Sequence, residues 1–80
     1  MNVFVLEYSG TSESVFYSLE DAKEHALNSF NISEWTDVTE MTRELLKHVG
    51  DPGYVHAWHC MTRDCAIVEH TIKGNSNSLN

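Results

Sequence analysis

Apolar residues recur along this 80-residue chain with two different periods, and the changes of period mark its elements. Over Asn2 to Tyr8 (NVFVLEY) the period is two. Val3, Val5 and Glu7 fall on one side and Phe4, Leu6 and Tyr8 on the other, which predicts a strand apolar on both faces. Ser9-Gly10-Thr11-Ser12 is turn chemistry, and Glu13 to Tyr17 (ESVFY) predicts a second strand folded back on the first. At Ser18 the period becomes helical. Leu19, Ala22, Ala26, Leu27 and Phe30 form one apolar stripe, while Glu20, Asp21, Lys23, Glu24 and Asn28 fill the opposite side. Ser18 precedes Asp21 by three residues, the spacing of a helix start, and Asn31 suits a left-handed stop.

Residues 33–38 fit either a short strand or the opening of a helix. Beyond them Val38, Met41, Thr42, Leu45, Leu46 and Val49 make a second helical stripe. Gly50 and Pro52 follow it, so the pattern predicts a helix from about Thr39 to Val49. Tyr54 to Met61 (YVHAWHCM) and Cys65 to Lys73 (CAIVEHTIK) predict two strands turning at Thr62-Arg63-Asp64, and residues 74–80 have little to bury. The expected fold is one α+β domain over 1–73 with a frayed tail over 74–80. Its order is β-β-α-α-β-β, with two helices on one face of a four-stranded antiparallel sheet and a fifth strand near 33–38 as the variant.

Charge narrows the function classes. Twelve acidic against five basic residues give a net charge of −7, which argues against direct binding of nucleic acid phosphates. No apolar run has membrane-spanning length and no basic leader precedes an apolar one, so the reading is a soluble cytoplasmic chain with no membrane partner. Two cysteines are too few for a disulfide framework.

Catalytic signatures are missing: the chain has no Gly-rich phosphate loop, no Gly-x-Ser-x-Gly elbow and no His-Glu-x-x-His. The expectation is a non-enzymatic protein with no cofactor and no metal. A zinc site drawing on His56, Cys60 and Cys65 of the last hairpin is the alternative, although their spacing matches no common zinc pattern. The acids gather in mid-chain. Glu13, Glu20, Asp21, Glu24, Asp37, Glu40 and Glu44 on two adjacent helices and their approaches predict a negative surface for a basic partner, with Trp35 and Trp58 as aromatic anchors. A solvated helix face that only keeps the protein soluble is the simpler reading. The two apolar faces of the last hairpin also suit a homodimer joined through the sheet.

The stretch Phe16 to Ala26 (FYSLEDAKEHA) resembles small bacteriophage-encoded α+β proteins, which place a Ser-Leu-Glu-Asp/Glu-Ala-Lys helix between two hairpins. That resemblance implies a protein that acts in the host cytoplasm by binding and disabling a host protein. Glu13-Ser14-Val15 with the acidic helix after it is similar to the Glu-Ser-Ile strand and following helix of phage uracil-DNA glycosylase inhibitors, which are acidic DNA mimics. This narrower likeness implies that Glu13 and Ser14 meet a DNA-binding surface, and that the target is a nucleic-acid-binding host protein.

Overall fold

Strands β1 (Asn2–Tyr8) and β2 (Thr11–Phe16) are joined by Ser9 and Gly10 alone. Both turn residues have positive φ, 56° and 82°, the sign pattern of the type I′ turn that matches strand twist. The turn is therefore two residues shorter than its composition suggests. Leu6 pairs with Ser14 but Glu7 pairs with Ser12, which leaves Glu13 as the extra residue of a β-bulge. The computed structural model describes residues 1–46 and 54–72.

Helix α1 (Leu19–Phe30) is capped at both ends as its sequence predicts. Ser18 Oγ accepts the Asp21 N–H at 3.0 Å, and Asn31 takes the left-handed conformation with φ 59°. The Asn31 and Ile32 N–H groups close on the Leu27 and Ala26 carbonyls, and this turn drops Ile32 into the core. The chain then forms β3 (Thr36–Asp37), α2 (Thr39–Leu46), β4 (Tyr54–Cys60) and β5 (Cys65–Thr71).

The five strands form one antiparallel sheet in the order β2-β1-β5-β4-β3. The four-stranded β-β-α-α-β-β expectation is thus corrected: Thr36-Asp37 is a fifth strand, paired with His59 and Trp58, and it separates the two helices. It forms because the outer edge of β4 still has backbone groups to satisfy, and Val38 N–H extends the pairing to the Ala57 carbonyl at 2.9 Å. Expectations about residues 47–53 and 73–80, including the end of the second helix and the tail, lie outside the described residues.

Register decides which residues share a face. Leu6, Ile67 and Trp58 stand opposite one another across β1, β5 and β4, as do Tyr8, Cys65 and Cys60. α1 covers this face through Ala22 and Ala26, whose short side chains let the helix approach closely. Leu6, Ile32 and Ile67 are fully buried there, each contributing on the order of 1.5–3 kcal/mol. Tyr8 stacks on Phe30 with ring centroids 4.2 Å apart, and Phe16 meets His25 at 5.3 Å.

The helices do not lie side by side. α1 packs on β1 and β2 at one end of the sheet, whereas α2 packs on β4 towards the other. Thr39 ties α2 to that strand: its hydroxyl accepts the Ala57 N–H at 3.1 Å and lies 3.5 Å from the Ala57 carbonyl. Both residues are buried.

Candidate functional site

Leu27 is the apolar residue of α1 that the core does not take. The buried residues Ala22 and Ala26 lie on one line of the helix, and Leu27 is turned about 100° from Ala26, which leaves it 46% exposed. It faces the loop that follows the helix. Leu27, Ile32 and Trp35 form the apolar wall of an open groove of about 400 Å³, completed by Lys23, Glu24 and Ser33. Trp35 is half-buried and packs against the core from this side. Glu20, Asp21 and Glu24 are all exposed, with Glu20 one turn before Glu24 on the helix. The groove is therefore apolar at its floor and acidic towards the outward face of α1, with Lys23 as its basic member.

The remaining acids sit elsewhere. Asp37 is exposed on β3, and its Oδ1 accepts the Thr39 N–H at 2.9 Å, so it shapes the entry to α2. The Thr39 hydroxyl and N–H, with a smaller contribution from the charge of His56, hold the Asp37 carboxyl below its ordinary value. Asp37 and Glu40 border a second open groove of about 430 Å³, with Thr39, Met41, Val55 and His56. Glu13 is exposed at the bulge of β2, while Glu44 lies outside the residues whose side chains are described. The continuous two-helix acidic face is thus not what the fold builds. The carboxylates divide into an α1 group and a β3–α2 group, because the helices pack at different ends of the sheet.

Trp58 belongs to the face that α1 covers. It is half-buried, packs on the core, meets Phe4 at 6.2 Å and stacks on His56 at 5.5 Å. Glu69 organises this end of the sheet, accepting from Asn2 Nδ2 at 2.6 Å and lying 3.2 Å from His56 Nδ1. His56 and Cys60 share a face but stand four residues apart along β4, about 13 Å, too far to ligate one ion. Among the described residues no three His, Cys, Asp or Glu side chains converge as a metal-binding group. No known protein family, curated protein or solved structure matches the chain.

Sequence reasoning assigned Leu27 to the core stripe and gave Ile32 and Lys23 no role in a site. One signal was available: the α1 stripe runs from Ala22 to Leu27, wider than a small sheet needs to cover. Of the predicted contact residues, Trp35 and Glu24 meet at the α1 groove, and Asp37 and Glu40 meet at the second one.

Proposed function

We propose that the chain is a non-catalytic binding protein whose α1 groove takes a basic segment of a partner protein carrying an apolar anchor residue. The observation that carries this reading is Leu27, held exposed beside Ile32 and Trp35 with Glu24 at the edge of the same groove. An apolar floor supplies contact energy, and neighbouring carboxylates select a positive partner and speed encounter. The net charge of −7 supports the same sign of partner and disfavours a nucleic acid as direct ligand. On the phage-type resemblance, the partner is a host protein with a nucleic-acid-binding surface, which this chain inhibits or redirects in the host cytoplasm. Among the described residues no helix is long and apolar enough to cross a membrane.

The test is a pull-down from bacterial lysate at low and high salt, with wild type, Leu27→Asp and Glu24→Lys as baits. The expected result is a basic partner retained by wild type at low salt, released at high salt and lost with both variants. Duplex DNA added as competitor displaces it if the surface mimics DNA. Capture that ignores salt and both substitutions overturns the proposal.

A second reading rests on the opposite sheet face. Val15, Val5 and Val68 stand in one row across three strands, turned away from α1, and Val15 is 61% exposed, while Ala57, which continues the row on β4, is buried. A row of uncharged side chains is self-complementary under two-fold symmetry, so a homodimer forms through this valine face and not through the Trp58 face. Light scattering of wild type against Val15→Lys separates the two readings.

A further inference from the structure

The last hairpin places two thiols directly opposite each other. Cys60 ends β4, Cys65 begins β5, and they are paired across the ladder with the exposed turn of residues 61–64 between them. Directly opposed residues of an antiparallel pair have Cα atoms about 4.5–5.5 Å apart, inside the range that a disulfide spans. Register puts both side chains on the same face of the sheet. Both cysteines are free thiols and buried.

Their surroundings differ. Cys60 forms part of the wall of a small open cavity of about 140 Å³, together with Asn31, Ser33, Glu34, Thr62 and Arg63. Its Sγ lies 3.5 Å from the Thr62 hydroxyl, and the Arg63 guanidinium is fixed nearby by a 3.2 Å bond to the Tyr8 hydroxyl. The Thr62 hydroxyl and the backbone N–H groups of the turn favour the Cys60 thiolate and lower its pKa. Cys65 is not part of that wall. Burial, with the neighbouring Cys60, pushes its thiol up to about 11. One sulfur thus borders the open cavity with its anion stabilised, and the other lies outside that wall and is held as a thiol.

We propose that Cys60 and Cys65 form a dithiol–disulfide couple, in which Cys60 opens a small-molecule disulfide from the cavity and Cys65 closes the intramolecular bond. The Cys60 thiolate attacks one sulfur of a low-molecular-weight disulfide RSSR, forming Cys60–S–S–R and releasing RS⁻. Cys65 then gives up its proton to that thiolate or to water and attacks Cys60 Sγ, expelling the second RS⁻. In sum the protein dithiol is oxidised by two electrons to the disulfide, and RSSR is reduced to two RSH. This exchange goes beyond the groove-binding reading and does not depend on it.

The experiment is intact-mass analysis of the reduced, full-length chain after incubation with oxidised glutathione and quenching with an alkylating agent. Wild type is expected to become about 2 Da lighter, with no retained glutathione and no remaining alkylatable thiol. Cys65→Ser is expected to hold one glutathione, about 305 Da heavier and mapped to Cys60, because the resolving thiol is gone. Cys60→Ser is expected to react at least tenfold more slowly, since Cys65 has neither the access nor the thiolate fraction. A wild-type chain that keeps one or two glutathiones, forms a covalent dimer or does not react overturns the proposal. So does Cys60→Ser reacting as fast as Cys65→Ser. The wild-type mass alone decides between closure and adducts, so the test survives a variant that fails to fold.

Discussion

Replacing Thr39 by Val removes one oxygen atom and leaves the shape almost unchanged, which makes it the sharpest probe of how α2 is held. The Thr39 hydroxyl is the acceptor for the Ala57 N–H at 3.1 Å, and Ala57 is only 2% exposed. In Thr39→Val that N–H loses its acceptor in a place that water does not reach. Leaving a buried donor unsatisfied costs about 1–3 kcal/mol, well above the typical net value of a hydrogen bond. Thr and Val have similar helix propensities, so the start of α2 adds little of its own. For a domain of this size each kcal/mol moves the melting temperature by about 4–8 °C, so the variant should melt about 5–20 °C lower. Thr39→Ser keeps the hydroxyl and should recover most of the loss. Circular dichroism melting reads the stability, and amide exchange reads the cause. The Ala57 N–H should be protected in wild type and Thr39→Ser and exchange faster in Thr39→Val. A Thr39→Val protein melting within about 2 °C of wild type refutes the reasoning. If Thr39→Ser falls as far as Thr39→Val, the methyl group matters as much as the hydroxyl, and the hydroxyl alone does not hold this contact.

Two further outcomes follow from local backbone and charge. Gly10→Ala should cost about 1–2 kcal/mol by denaturant unfolding, purely from conformation, because φ is +82° and an added Cβ meets nothing within 4 Å. Asp37 has its folded pKa lowered below the ordinary 3.8 by Thr39, so its contribution is present above that value and is lost as pH falls through the folded one. Asp37→Asn should therefore melt below wild type at neutral pH, and the gap should close as the pH is taken below 3.8 and through the lowered folded value; a gap independent of pH counts against the carboxylate.

Much of this fold is legible because its signals are local. The Ser18 cap and the Asn31 stop each depend on a few neighbouring residues, and α1 occupies the span between them. The alternation in NVFVLEY places Val3 and Val5 opposite Leu6 and Tyr8, as the sheet does. The β3 strand could be read only as one of two alternatives, for the opposite reason. Two residues carry no period, and Thr36 and Asp37 become a strand only because β4 offers them an open edge. Trp58 was ambiguous as a contact residue because both faces of its strand are apolar, and nothing local says which one a helix will cover.

Of the candidate site, the sequence named Glu24 and Trp35 but not the groove that joins them, since Leu27 lay within the same stripe as the core alanines. The cysteine pair was visible as two residues flanking a turn. What distinguishes them, the cavity beside Cys60 and the burial of Cys65, depends on the loop after α1 coming to rest against the last hairpin.

Composition and short-range pattern determined the acidic character, the identity of every strand and helix but β3, and the caps of α1, because each depends on chemistry within a few residues. Tertiary structure alone decided that α1 covers the Leu6–Ile67 face and that α2 is tied to β4. It also decided that the carboxylates divide between two places and that Leu27 is left in solvent. Those outcomes depend on which surfaces meet, and the area of a small sheet limits how much of each apolar stripe can be buried at once.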